Sequence, residues 1–404
     1  MQIILKNLFY SGLGSVGAFV TGAIFHVLLA RSLGTFSYGI YVFGLSFGGL
    51  FLQASEFGLS QMVVRDVAGL RLKNPAEYFG ATLILRAYVT VGFTLLGFLI
   101  LVWLNLPQEK FLAALFILLS FGILSLNIGI RWSFQFYQRL EFEGVANFIP
   151  PALLLTFSII AVSYHSPVWV YGLLLGVSFS LGSMYVIWVL LKNFLRPTFH
   201  GVHKHLKKLL SDLIPFSVVN IGATIYQNID VVFISLWLGD HPAGIYGAAL
   251  RMIFALRLFS MILQQTFLPA LSVNVMKRET FIPIFRLGLN LSILVGFLVA
   301  LALSITSGFL VNILLGEAYQ EASAILVLLG WMNLFYFLTV YISNTLFALG
   351  KEIPTALATV VTLIINIALF VLLIPTWGLL GAAVARIISE AFLCCILYYL
   401  FRKT

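Results

Sequence analysis

The sequence predicts an all-α integral membrane protein of about twelve helices, arranged as two pseudo-symmetric six-helix bundles. Composition, a repeated motif and the distribution of charge among the loops carry this prediction. Hydrophobic residues make up 61% of the 404 residues, charged residues only 9%, and the mean hydropathy is +1.06. A soluble core needs far less apolar sequence, whereas a membrane helix needs roughly 20 apolar residues, which leaves room for about twelve helices.

The repeated motif is Leu-Gly, then four intervening residues, then Gly-Ile-Tyr. It occupies 33–41 and again 238–246, with all five identities 205 residues apart. Each copy separates two long apolar runs, which predicts a tight turn between membrane helices. Glycine permits positive φ in such a turn, and Tyr41 and Tyr246 suit a membrane surface because a buried ring can keep its hydroxyl wet. The chain is therefore interpreted as two copies of one unit.

The apolar runs predict the individual helices. The first is a retained helix rather than a signal peptide, because Arg31 and not a small-residue cleavage site follows it. The predicted helices are 8–31, 38–62, 78–104, 111–137, 145–164, 168–191, 213–238, 244–271, 284–314, 320–349, 354–374 and 377–401.

The domain organisation follows from this division. Residues 1–191 form the first bundle, 213–404 the second, and the basic segment 192–212 the cytoplasmic linker. Because each half has an even number of helices, both enter the membrane in the same sense, as parallel repeats. Two such bundles predict a cleft between them and a transporter that rocks its halves.

The loop charges predict the orientation. Even-numbered loops and both termini hold fifteen Lys and Arg, whereas odd-numbered loops hold two, Arg31 and Lys110. By the positive-inside rule both termini are cytoplasmic, as in a multi-pass protein of the cytoplasmic membrane. This asymmetry explains the net charge of +9 better than nucleic-acid binding does. Cys394 and Cys395 are adjacent and predict neither a disulfide framework nor a metal site.

Polar side chains fall on single faces of four predicted helices, as expected for helices that line a watery cleft. The faces are Asn127, Arg131, Gln135 and Gln138; Asn333 and Asn344; Asn220, Thr224, Gln227 and Asp230; and Thr355, Thr359, Thr362 and Asn366. Polar stripes can instead hold helices together, and this alternative stays open.

Eight ionisable residues lie well inside the apolar runs, where each costs at least a few kcal/mol unless paired or wetted. At about 1.5 Å per residue they fall into three depths. Glu56, Arg86 and Arg131 lie toward the cytoplasmic ends of their helices, Asp230, Arg251 and Arg386 toward the outer ends, and Arg257 and Glu390 near the midplane. The alternatives are snorkelling of Arg86, Arg131 and Arg251, and structural ion pairs of Asp230 with Arg251 or Arg386 and of Arg386 with Glu390.

Four short motifs relate the chain to a known group of transporters. They are Lys6-Asn7, the turn at 33–41, Glu56-Phe57-Gly58-Leu59 with Arg65, and Gly378 with Gly381-Ala382-Ala383. With these the whole chain resembles the polysaccharide-unit (O-antigen type) flippases of the multidrug, oligosaccharidyl-lipid and polysaccharide exporter superfamily. The resemblance implies a V-shaped pair of bundles that moves a polyprenyl-diphosphate-linked oligosaccharide from the cytoplasmic to the outer leaflet by alternating access, without enzymatic activity.

A diphosphate and a glycan crossing hydrocarbon need cationic and hydrogen-bonding groups. The expected substrate-binding residues are Arg86, Arg131, Arg257, Asn127, Gln135 and Arg251. The expected ion-coupling or ion-pairing residues are Asp230, Asn366, Arg386, Glu390 and Glu56. Na⁺ or H⁺ is the expected coupling ion, with no metal centre and no other cofactor. The expected partners are the lipid-linked oligosaccharide, membrane lipids and sugar polymerase or glycosyltransferase machinery.

Three rival functions remain open. A multidrug exporter of the same superfamily would place acids and aromatics in the cleft, whereas here five embedded Arg face three acids. A lipid II flippase usually carries two further helices. A membrane enzyme such as a sugar polymerase usually has a long outer loop, and the predicted outer loops are short.

Overall fold

The structure is a computed structural model that describes residues 2–56, 59, 75–136, 139–194, 197–198, 203–275 and 277–403. Within these ranges the regular structure is entirely helical. Nine of the helices are long and apolar enough to cross a membrane, and two of those nine, Gly12–Glu56 and Glu352–Arg402, contain a break. The all-α membrane class predicted from composition is confirmed.

The described residues form twelve α-helical segments and one short 3₁₀ helix, Glu317–Tyr319. The helix Gln2–Glu56 is broken at Gly34 into α1 (2–33) and α2 (35–56), and the helix Glu352–Arg402 is broken at Gly378 into α11 (352–377) and α12 (379–402). Between them lie α3 (Pro75–Trp103), α4 (Gln108–Phe136), α5 (Leu140–Ser163), α6 (Val168–Asn193), α7 (His203–Trp237), α8 (Asp240–Asn274), α9 (Arg278–Leu315) and α10 (Ala322–Ala348).

Glycines with positive φ mark the two turns predicted from the repeated motif, at Gly34 and Gly239, and one further break, at Gly378, inside the predicted helix 377–401. Gly34 has φ 70° and Gly378 has φ 57°, and Gly239 between α7 and α8 has φ 97°. An L-residue with a Cβ is strained in this region, whereas glycine is not. The chain can therefore reverse within one or two residues at these positions.

The chain divides into two compact units. The first comprises Met1–Leu33 and Ile40–Thr224, and the second comprises Gly34–Gly39 and Ile225–Thr404. In the first unit α4 packs against α3, α5 and α6; in the second α10 packs against α8, α9 and the broken helix Glu352–Arg402. The central helices α4 and α10 are six helices apart, as expected for two copies of one unit.

Helix α7 begins ten residues before its predicted start, so that residues 203–212 of the predicted linker are helical. Leu209 and Leu213 are one turn apart and buried, and they join Tyr78 and Trp132 in an apolar cluster of the first unit. Their four-residue spacing places both leucines on one helix face. The polar residues between them hid this short amphipathic segment from the search for long apolar runs.

The two copies of the repeated turn approach each other within the second unit. A Cβ at Gly39 would overlap the carbonyl oxygen of Asp240, and a Cβ at Gly244 would overlap that of Thr35. Thr35 Oγ1 lies 2.7 Å from His241 Nδ1 beside this contact. The second glycine of each motif is therefore required by close backbone approach.

Candidate functional site

Arg86 is placed in the first unit by α3 and is fully buried. Its Nη2 donates to Glu56 Oε1 at 2.9 Å, and its Nε donates to the Ser125 carbonyl oxygen at 2.5 Å. The Glu56 side chain is 26% exposed, so one end of this ion pair reaches a more open region. The Arg86 guanidinium also lies 4.9 Å from the Trp132 ring centroid. Arg86 thus joins α2, α3 and α4.

Three hydroxyl groups lie beside the contact between Arg86 and Ser125. Ser125 Oγ lies 2.8 Å from Ser55 Oγ and 2.9 Å from Thr90 Oγ1. A Cβ at Gly129, one turn after Ser125, would meet the Arg86 side chain. The arginine is therefore enclosed by three helices, which is the arrangement of a buried structural ion pair.

The polar face of α4 reaches its neighbours further along the helix. Arg131 Nη2 donates to Asn147 Oδ1 of α5 and lies 3.8 Å from Glu143 Oε1. Asn127 Nδ2 donates to Ser183 Oγ of α6 at 2.8 Å. The side chain of Gln135, expected to bind substrate, lies outside the described part of the structure. The described members of this face therefore make interhelical bonds.

Asp230 of α7 is fully buried in the second unit. Its Oδ1 accepts from the backbone N–H of Val231 at 3.0 Å, and its Oδ2 accepts from the Tyr246 hydroxyl at 3.1 Å. The expectation that Tyr246 keeps its hydroxyl in water is wrong, because this tyrosine is 0% exposed. The repeat motif instead supplies a donor to an embedded carboxylate.

Arg386 and Glu390 of α12 are joined through Tyr226 of α7. Arg386 Nη1 donates to the Tyr226 carbonyl oxygen, and its guanidinium lies 4.4 Å from the Tyr226 ring centroid. The Tyr226 hydroxyl donates to Glu390 Oε2 at 2.7 Å. Among the described residues no ion pair within 4.0 Å joins Arg386 to Glu390 or Asp230. Arg386 and Glu390 are four residues apart, but they do not form the direct ion pair that this spacing suggested.

Asn366 of α11 completes this buried group. Its Nδ2 donates to Ser389 Oγ of α12 at 2.9 Å, and its Oδ1 is buried without a hydrogen-bond partner among the described residues. The threonines before it, Thr355, Thr359 and Thr362, donate to carbonyl oxygens four residues earlier on their own helix. Asp230, Arg386 and Glu390 thus interact within one buried polar cluster, and Asn366 bonds Ser389 beside Glu390.

Arg257 of α8 has a different environment. Its guanidinium carbon lies 4.3 Å from the ring centroid of Phe254 and 4.2 Å from that of Tyr336 on α10. Its Nε is buried, and no described residue accepts a hydrogen bond from it. Arg386, Glu390 and Asp230 act on it electrostatically, without an ion pair within 4.0 Å in the described structure. Arg251, one turn before Phe254, lies 5.4 Å from the same ring and interacts electrostatically with Tyr38.

Several residues of these sites were missed by sequence reasoning. Tyr226, Tyr246, Tyr336 and Phe254 contact embedded charges, and Ser389 accepts a hydrogen bond from Asn366. The available signal was spacing: Phe254 lies three residues from both Arg251 and Arg257, so that the three share one helix face. Aromatic residues make up 15% of the chain, so that the sequence alone did not distinguish the aromatic residues that contact embedded charges from the many others.

Comparison with known families now identifies the chain. The family model described as polysaccharide biosynthesis protein matches residues 4–275. The chain belongs to this family. The model of the lipid II flippase MurJ matches residues 148–404. The protein is thus a glycan or lipid-linked oligosaccharide flippase of the multidrug, oligosaccharidyl-lipid and polysaccharide exporter superfamily, and the family resemblance found in its motifs is confirmed.

Two relatives are similar to this chain in sequence. The chain is 24% identical over 410 residues to a probable low-salt glycan biosynthesis flippase, Agl15, of Haloferax volcanii, covering 97% of this chain and 80% of the relative. It is 25% identical over 199 residues to the capsular polysaccharide biosynthesis protein CapF of Staphylococcus aureus, covering 49% of this chain and 50% of the relative.

Solved structures agree with the fold of this family member. A lipid II flippase MurJ in an inward closed conformation has a TM-score of 0.80 at 16% identity, covering 98% of this chain and 87% of that one. An inward-facing multidrug resistance transporter of the MATE family has a TM-score of 0.73 at 14% identity, covering 98% and 94%. At these identities the likeness concerns the fold alone.

Proposed function

We propose that this flippase carries a polyprenyl-diphosphate-linked oligosaccharide from the cytoplasmic to the outer leaflet by alternating access, and that Arg257 holds the diphosphate. One observation carries the assignment to Arg257. Its guanidinium is deeply placed, yet no described protein acceptor binds it. A buried donor without an acceptor costs about 1–3 kcal/mol, and more when charged. An anionic ligand would remove that cost.

The other embedded arginines support this choice by contrast. Arg86 bonds Glu56, Arg131 bonds Asn147, and Arg386 bonds the carbonyl of Tyr226. Each already has a protein acceptor for one of its guanidinium nitrogens, although Arg86 Nη1, Arg131 Nε and Arg386 Nε have no described partner. Arg257 has no described protein acceptor.

The chemistry of the cargo fits a guanidinium. Its planar fork can donate two parallel hydrogen bonds to phosphate oxygens, which the ammonium group of lysine cannot reproduce. The glycan needs neutral hydrogen-bonding groups, whereas the prenyl chain can remain in lipid. Transport of this kind breaks no covalent bond, and we infer a transporter rather than an enzyme.

The test is transport by Arg257 variants at matched protein levels. Arg257→Ala is expected to abolish translocation of a lipid-linked oligosaccharide in proteoliposomes, and Arg257→Lys to restore only part, because it keeps the charge but loses the fork. Arg139→Ala is the matched control, because Arg139 is 51% exposed and pairs with the nearby Glu141. Normal transport by Arg257→Ala would contradict the proposal.

A second part of the proposal concerns energy coupling, for which Asp230, Glu390 and Asn366 are the candidate residues. Asp230 and Glu390 are buried carboxylates, and the Oδ1 of Asn366 is a buried oxygen without a hydrogen-bond partner among the described residues. Carboxylates inside membrane segments are groups through which transporters take up protons or Na⁺. We assign ion coupling to this cluster.

Two further parts of the proposal concern the surroundings of the protein. We place both chain termini in the cytoplasm, and we propose sugar polymerase or glycosyltransferase machinery as its partners.

A further inference from the structure

Arg257 is positioned by two rings from different helices. Phe254 lies three residues before it on the same face of α8, and Tyr336 approaches from α10. The guanidinium carbon lies within 4.3 Å of both ring centroids, well inside the roughly 6 Å range of a cation–π contact. Phe254 and Tyr336 are called the aromatic clamp below.

The clamp differs from an ion pair in its effect on charge. Arg86 is held by the carboxylate of Glu56, which neutralises it. Aromatic rings attract a cation through their quadrupole but carry no net charge. Arg257 therefore has two ring contacts and no ion pair within 4.0 Å in the described structure, so that its charge stays available to an anion.

The clamp also acts on orientation. Rings that contact the flat face of a guanidinium leave its N–H bonds free, because these point outward in the plane of the group. A guanidinium with a fixed plane loses less side-chain entropy when it binds than a mobile one. The benefit is largest for a ligand that accepts two hydrogen bonds in that plane.

We propose that Phe254 and Tyr336 are positioning residues that hold the Arg257 guanidinium in place and thereby strengthen its binding of a lipid-linked diphosphate. The inference rests on the proposed function, since it concerns the same arginine. It adds the residues that fix that arginine for binding.

Binding to the purified full chain in nanodiscs tests the clamp, with a short-chain prenyl diphosphate as the probe. Tyr336→Leu removes one ring face and is expected to weaken diphosphate binding about twofold to thirtyfold, the range for one cation–π contact. Tyr336→Phe keeps the ring and should bind like the unmodified protein. Phe297→Leu is the control, because the Phe297 ring packs on Trp331 in the same unit.

A shape-preserving series separates the clamp from simple packing. Phenylalanines with one to three ring fluorines at position 336 keep the ring volume nearly constant while they weaken its quadrupole. Diphosphate affinity should fall stepwise with each fluorine. Constant affinity along the series would overturn the clamp.

A double substitution distinguishes this failure from failure of the proposed function. In an Arg257→Ala protein, Tyr336→Leu should cause no further loss of diphosphate binding, because the group it positions is gone. Undiminished binding by Arg257→Ala alone would refute Arg257 as the anchor. Loss with Arg257→Ala but normal binding with every Tyr336 variant would refute the clamp alone.

Discussion

Replacing Arg86 by alanine separates a structural role from the substrate-binding role that the sequence suggested. Arg86 is 0% exposed and bonds Glu56 and the Ser125 carbonyl, whereas Glu56 is 26% exposed. Removing one partner of a buried pair costs about 3–5 kcal/mol. Partial solvation of the orphaned Glu56 lowers this to roughly 3 kcal/mol. For a unit of this size that corresponds to a fall of about 6–12 °C in the unfolding midpoint.

The assay is thermal unfolding of the purified protein in detergent, together with its abundance in the membrane. Arg86→Ala should lower both. Adding Glu56→Gln should recover part of the loss, because the orphaned charge is removed while a hydrogen-bonding group remains. Arg139→Ala, at an exposed ion pair, should cost less than about 1 kcal/mol.

A different outcome would refute the reasoning. If the Arg86→Ala protein unfolded at the temperature of the unmodified protein but lost substrate binding, Arg86 would be a binding residue whose pairing with Glu56 contributes little to stability. Until then its role in binding stays a prediction.

Two further predictions concern coupling and topology. Asp230→Asn keeps an acceptor for the Val231 N–H and can still bond the Tyr246 hydroxyl, so abundance should be nearly normal while the dependence of translocation on a Na⁺ or proton gradient disappears. Loss of abundance that a second change, Arg386→Met, restores would indicate a static charge pair instead. A reporter fused after Lys204 should be cytoplasmic and one inserted beside Asp240 external, as the loop charges require. Finding both on one side of the membrane would contradict the twelve-crossing topology.

The sequence alone determined the architecture, because membrane insertion depends on local properties. Apolar runs of sufficient length must form helices, since hydrocarbon offers no partner for backbone N–H and C=O groups. The repeated motif also predicted two turns, because a positive φ is a property of one residue. Gly34 and Gly239 confirm this.

Only the tertiary structure decided which groups bind each embedded charge. Arg386 and Glu390 looked like a pair because they are one turn apart, but Tyr226, more than a hundred residues away, bonds both. Likewise Arg257 proved to lie between rings of α8 and α10 rather than beside Glu390. Helical spacing fixes the face on which a side chain lies, but a hydrogen bond needs an acceptor within about 3 Å, and that depends on how helices distant in sequence pack.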